Sequence, residues 1–271
     1  MTNRNDREVD NMDSTNTDNA KERPKYGYYV GYSVIITFIV IGLVGLTLLV
    51  LGFRFGYSLN IVLWAVGAVL LLLFLWPGIG MLFTNRNAYR EETLHFDFLR
   101  GYSDAQILDC GCGTGRHAIP LAKQMTEGSF LTGIDIYDTK SISINSLERV
   151  QQNARLEGVS DRTRFVFGSV TEIPFDNETF DIVTCMGVVH ELGKLKSKAF
   201  QEIYRVLKPD GVFYFRELKR TSQIPTTGIV ALFFKSEAYW EDELRSNNFE
   251  ILDRHKGGKY HEFLAEKSAN C

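Results

Sequence analysis

Cysteine is scarce in this 271-residue chain: there are four, Cys110, Cys112, Cys185 and Cys271. Cys110 and Cys112 stand as C-x-C, and no second Cys or His pair follows at zinc spacing, so no metal site is expected. The thiols read instead as reduced residues of a cytosolic domain. An excess of basic charge is missing too. Thirty Lys and Arg against 33 Asp and Glu leave a net charge of −3, which gives nucleic acid no electrostatic footprint. Large apolar residues are nearly absent from residues 1–25, a polar stretch that cannot bury a core and is expected to be disordered. No signal peptide fits, because the first apolar run starts too late and continues too long.

Charge itself is absent from two long runs, residues 26–53 and 55–85, separated by Arg54. Each exceeds the roughly 20 apolar residues that span a bilayer as a helix. Residues 26–85 are therefore expected to form a transmembrane hairpin with a very short turn at 54–57. Tyr28, Tyr29, Tyr32 and Trp76 are expected as interface anchors. Arg4, Arg7, Lys21, Arg23 and Lys25 precede the hairpin and Arg86, Arg90 and Arg100 follow it, whereas the turn has Arg54 alone. Such a count puts both termini in the cytoplasm of a multi-pass cell-membrane protein. Residues 86–102 read as a connecting helix, from the helical spacing of apolar residues in 87–100.

From Ser103 on, strand and helix patterns alternate. Strands are expected at 106–109, 130–134, 164–167, 180–185, 212–215, 249–253 and 260–265. Helices are expected at 116–125, 141–156, 196–207 and 237–246. The pattern implies an α/β domain over 103–267, a Rossmann-like, mainly parallel seven-stranded sheet with helices on both faces.

The chain is organised around residues 105–119, AQILDCGCGTGRHAI. A strand ends near Asp109, and Gly111, Gly113 and Gly115 make a tight turn into a helix. Bare glycine backbone lets a ligand approach, and a helix start points unpaired N–H groups at it. A dinucleotide fingerprint is G-x-G-x-x-G; here the spacing is G-x-G-x-G. The stretch resembles motif I of class I S-adenosylmethionine-dependent methyltransferases. Three further signals follow in order: Asp135 twenty residues after Gly115, then FVFGSVTEIPFDNETFDIVTC, then EIYRVLKPDGVFYF. Together they resemble the quinone and sterol type of that family, often called methyltransferase type 11, over roughly the C-terminal two thirds of the chain.

The resemblance implies S-adenosylmethionine as cofactor. Asp109, Gly111, Cys112, Gly113 and Gly115 would surround its methionyl part. Asp135 would meet the ribose, Ile136 beside it would also touch the cofactor, and Ser169 and Val170 would meet the adenine. The family usually has an acid at the position of Ser169, so this chain departs from the pattern there. Met186 opens the loop that faces the reacting methyl group, and His190 in that loop is the candidate general base. No Asn-Pro-Pro-Tyr follows the fourth strand, which argues against amino methylation of DNA or protein glutamine. Residues 219–235, with Ile229, Val230, Leu232, Phe233 and Phe234 between cationic flanks, read as a substrate lid, an interfacial segment or a core helix. The combined expectation is a membrane-anchored methyltransferase acting on a small, lipid-soluble acceptor. The alternatives are an NAD-dependent oxidoreductase and a non-catalytic membrane interaction protein that keeps the fold. Residues 86–271 are expected to bind the cofactor without the hairpin.

Overall fold

The computed structural model describes residues 22–28, 30–54, 56–87, 94–255 and 258–268. The tail 1–21, Tyr29, residues 88–93 of the expected connecting helix, and the side chains of Arg86, Ile229 and Val230 lie outside the described residues.

Two long apolar helices come first. α1 spans Tyr32–Gly52. The second runs as α2, Tyr57–Leu70, a π-helical turn, Leu71–Leu75, and α3, Trp76–Asn87. The wide turn sits just before Pro77, whose missing N–H would interrupt an unbroken α-helix at this point. The two rods touch through small residues. A Cβ on Gly45 would lie 2.9 Å from the carbonyl oxygen of Gly67, and one on Gly42 would lie 2.4 Å from the Cβ of Leu75. Glycine at these positions lets the backbones approach, which a larger side chain would prevent.

The first helix starts later than the apolar run suggested. Residues 22–28 have no regular secondary structure and lie on the C-terminal domain, so the expected boundary at 25/26 falls inside one continuous segment. The connector also differs. Within its described part, 94–102, the helix is a single 3-10 turn, Asp97–Gly101. Phe96 and Leu99, three apart, are both buried on the sheet, and that spacing suits 3-10 geometry.

The sheet has seven strands in the order β3-β2-β1-β4-β5-β7-β6. They are β1 Gln106–Cys110, β2 Phe130–Asp135, β3 Thr163–Phe167, β4 Phe180–Met186, β5 Leu207–Leu218, β6 Phe249–His255 and β7 Tyr260–Lys267. β1 to β5 pair in parallel, and β7 runs antiparallel to both β5 and β6. The sheet is thus mixed, with a parallel core. α4 (Ala118–Gln124) and α5 (Leu147–Leu156) cover one face over Ile107, Leu131, Ile182 and Val212. α6 (Lys196–Val206) and α8 (Glu237–Ser246) cover the other over Leu108, Val183, Phe213 and Phe215. Alternate residues of each strand go to opposite faces, as the pleat requires.

α5 is shorter than the expected helix 141–156. Ser146 caps it, its Oγ accepting from Arg149 N at 3.1 Å, and Ile144 ahead of the cap is left-handed at φ +62°. Residues 138–146 therefore form a loop at the carboxyl end of β2.

Candidate functional site

The carboxyl ends of β1, β2, β3 and β4 form one edge, the side on which open α/β sheets bind ligands. The glycine turn lies in the middle of it. Gly111 N and Cys112 N both donate to Ile134 O, at 2.8 and 3.0 Å, which ties the turn to β2. Gly111, Gly113 and Gly115 all have positive φ, at 75°, 53° and 89°, a region costly for any side-chain-bearing residue. Gly115 also lets α4 and α5 close in, since a Cβ there would strike Ile119 and Val150.

Asp109 is buried beside the turn. Thr184 Oγ1 donates to its Oδ1 at 2.6 Å. Burial raises its pKa to about 7, against the Thr184 bond, and the charge of Asp135 adds to the rise. Asp135 ends β2 and turns back to the glycine loop. Its carboxylate accepts from Gly113 N at 2.9 Å, Tyr137 N at 2.6 Å and the Asn145 amide at 3.1 Å. Beside it, Ile136 is exposed, as is Phe167, the β3 residue registered against Asp135. Cys112 is buried, and burial pushes its thiol up. Ser169 is engaged locally: Thr171 N donates to its Oγ, and its hydroxyl meets that of Thr171. Val170 is buried in the opposite face's core, and Met186 is buried at the end of β4.

His190 is on the 3-10 turn Val189–Glu191 after β4, which borders that cluster: Val188 lies against Gly111, and Ser141 Oγ donates to Glu191 Oε2 at 2.6 Å. Glu217 on β5, 1% exposed, holds His190 twice. The His190 N–H donates to Oε1 at 3.1 Å, and Nδ1 lies 2.8 Å from Oε2. Burial works against the charged imidazole, but the hydrogen bond and charge of Glu217, with Glu191 nearby, hold its pKa above the ordinary value. The free nitrogen, Nε2, is 3.9 Å from Glu191 Oε1. A cleft of about 190 Å³ opens here, lined by His190, Glu217, Leu218, Phe233, Phe234 and Trp240 among others. A larger recess of about 430 Å³, lined by Ile173–Asp176 and Thr179, holds Asp176 as its one ionisable lining group. The smaller cleft, with its oriented imidazole, is the one equipped for chemistry.

The segment that follows β5 connects this cleft to the hairpin. α7 (Arg220–Thr227) and the 3-10 turn Gly228–Phe233 lie along α3. A Cβ on Gly228 would be 3.3 Å from Pro77. Arg220 Nε donates to Phe234 O at 2.9 Å, bracing the end of the segment, and Phe233 is 81% exposed.

Sequence reasoning missed Glu217, Asn145, Thr184 and the 22–28 segment. The signal for Glu217 was available: Arg216 and Glu217 interrupt an apolar strand at its carboxyl end, where charge is expensive unless used. Asn145 was hidden because residues 141–156 carry helical spacing, and nothing local marks residues 22–28, because their partners are distant in sequence.

A family profile of a methyltransferase domain matches residues 102–268, well over half the chain. A demethylmenaquinone methyltransferase of Lactiplantibacillus plantarum is 37% identical over 107 residues, 40% of this chain and 42% of that protein. A sterol 24-C-methyltransferase of Gibberella zeae is 33% identical over 108 residues, covering 40% and 26%. The chain thus spans less than half the length of these relatives. Among solved structures, a SAM-dependent methyltransferase from Aquifex aeolicus superposes with a TM-score of 0.53 at 18% identity, over 63% of this chain and 88% of that one. One from Methanosarcina mazei gives 0.51 at 21%, over 65% and 99%. At those identities the likeness concerns the fold alone.

Proposed function

Since this chain belongs to the class I S-adenosylmethionine-dependent methyltransferase family, we propose that it is anchored in a membrane by its hairpin and methylates a lipid-soluble acceptor there. It is a methyltransferase and its cofactor is S-adenosylmethionine, so the reading as an NAD-dependent oxidoreductase lapses.

The residues at the sheet edge suit that cofactor. Two carboxylates, bare glycine backbone and exposed apolar Ile136 and Phe167 match an amino group, a ribose diol and an adenine ring. In this reading Asp109 meets the ammonium, with Gly111, Cys112, Gly113 and Gly115 around the methionyl chain. Asp135 has its lone pairs partly filled by Gly113, Tyr137 and Asn145 and uses the rest on the ribose. Ile136, Ser169 and Val170 border the adenine, and Met186 lies on the methyl side. Bound there, the cofactor supplies an electrophilic methyl on a sulfonium, and the protein's contribution is alignment. His190 Nε2 takes the proton from an acceptor hydroxyl as its oxygen is methylated. Glu217 fixes the ring and favours the imidazolium that results.

The observation that carries the acceptor assignment is the packing of 220–233 on α3. The wall of the His190 cleft continues into the segment that lies against the hairpin. Two further facts support the anchoring. α1 and the helix Tyr57–Asn85 are long and apolar enough to cross a bilayer, and their most apolar windows are 17% and 6% buried, where a soluble core helix would be mostly covered. Residues 22–28 before the hairpin are hydrogen-bonded to the domain after it, which suits one compartment for both; the Lys and Arg count makes that the cytoplasm. The test is labelled-methyl transfer from S-adenosylmethionine into a total membrane extract. Label is expected in an organic-phase product that His190→Ala membranes do not form. Label confined to a water-soluble product would overturn the lipid assignment.

A further inference from the structure

The segment Lys25–Tyr28 precedes the hairpin, yet it is hydrogen-bonded to groups of the glycine turn, of the loop after β2 and of α5, where Tyr26 Oη donates to Glu157 at 3.2 Å. Tyr26 O accepts from Thr114 Oγ1 at 2.9 Å and from Arg116 Nη2 at 3.2 Å, and Gly27 O accepts from Arg116 Nη2 at 2.9 Å. Lys25 pairs with the side-chain amide of Asn153, its N donating at 2.9 Å and its O accepting at 2.8 Å. Asn153 is fully buried and donates at 2.9 Å to Thr114 O as well, so one amide joins segment, turn and α5. Tyr28 pairs with Ser143 in both directions: its N donates to Ser143 Oγ at 2.8 Å, and Ser143 N donates to Tyr28 O at 3.0 Å.

Gly27 makes the crossing possible. It is buried at φ +68°, and a Cβ on it would stand 2.1 Å from Ser143 O. Both conformation and space demand glycine. What lies under the segment is the cofactor's side of the domain. Thr114 and Arg116 belong to the glycine turn. Ile142, next to Ser143, stands over Gly113, its Cδ1 2.8 Å from where a Cβ would be. Asn145, two residues beyond Ser143, holds the Asp135 carboxylate.

We propose that Lys25–Tyr28 is a strap that positions the cofactor site: it locks the glycine turn to the loop 138–146 and so keeps S-adenosylmethionine bound. The strap touches the turn and the loop, and acts through them. The cofactor site is then assembled from both sides of the hairpin in sequence. That reverses the expectation that residues 86–271 bind the cofactor without it. The inference rests on the cofactor and is independent of the acceptor.

The test uses the full-length protein in detergent micelles, titrated calorimetrically with S-adenosylhomocysteine, together with hydrogen exchange of residues 138–146 in the absence of ligand. Deleting 2–21 leaves the strap in place and is expected to leave affinity within twofold of wild type. Deleting 2–28 keeps both long helices and is expected to weaken binding at least tenfold and to speed exchange in 138–146. Gly27→Val should do the same, and Ser143→Ala should weaken binding several-fold. At saturating cofactor the turnover rate should hold while the cofactor KM rises, a split that general misfolding would not give. A peptide of residues 22–31 added to the 2–28 deletion should restore part of the affinity. If the 2–28 deletion and Ser143→Ala fold and bind within twofold of wild type, the strap is packing alone and the proposal fails, whatever becomes of Gly27→Val.

Discussion

At the scale of single residues, two titrating groups both make the fold less stable as pH rises, for different reasons. Asp109 is an acid whose folded pKa, about 7, lies above its unfolded value. Folding therefore favours its protonated form. Its ionisation costs stability progressively as pH rises from about 4 toward 7 and by a constant amount above. A pKa unit is about 1.4 kcal/mol, so the cost near neutrality is on the order of a few kcal/mol. Asp109→Asn should raise the apo melting temperature at pH 7.5 more than at pH 4, while weakening binding of S-adenosylhomocysteine; scanning calorimetry at both pH values checks it. His190 is a base whose folded pKa is also raised. Its contribution to stability is complete below the ordinary imidazole pKa and lost as pH rises through the elevated one. Catalysis runs the other way, because a general base works unprotonated. Glu217→Gln should move the rising limb of the kcat profile to lower pH and lower its plateau about tenfold to a hundredfold, with cofactor affinity unchanged. A pH profile that does not move would take Glu217 out of the mechanism.

Among the elements, local periodicity was informative wherever the partner of a segment was a sheet face. β1, β2, β4 and α8 stand within a residue or two of their expected bounds, because an apolar strand or stripe encodes its own burial. It failed where the partner was a particular distant group. Residues 141–146 carry helical spacing, yet Ser143 is taken by Tyr28 and Ser146 by the cap of α5. Residues 26–28 are as apolar as a span, yet hydrogen bonds to Thr114, Arg116 and Ser143 hold them on the domain. The candidate site divided likewise. The acids and glycines announced themselves by spacing, whereas Glu217 and the strap depend on tertiary neighbours. Between the two long helices, the contact of Gly45 with Gly67 sets the approach. Gly67→Leu would put its Cβ 2.7 Å from Gly45 O and should lower the thermal midpoint in detergent, by about 1–3 kcal/mol of overpacking, followed by far-UV circular dichroism. An unchanged midpoint would mean the helices pack elsewhere.

For the whole molecule, the proposed anchoring puts strap and domain on the same side of the bilayer. With native cysteines removed, Ser58→Cys at the start of α2 should react with an impermeant thiol reagent on intact cells, and Ser14→Cys in the tail should not; the reverse labelling would invert the orientation. The strap gives this a meaning in the order of synthesis. Lys25–Tyr28 leaves the ribosome first, but Thr114, Ser143 and Asn153 follow only after both long helices have been made and placed. A molecule inserted upside down carries strap and domain away together. One inserted with a single span strands them in different compartments, and its glycine turn stays unlatched. On the proposed anchoring and strap, completion of the cofactor site doubles as a check that the chain crossed the membrane an even number of times.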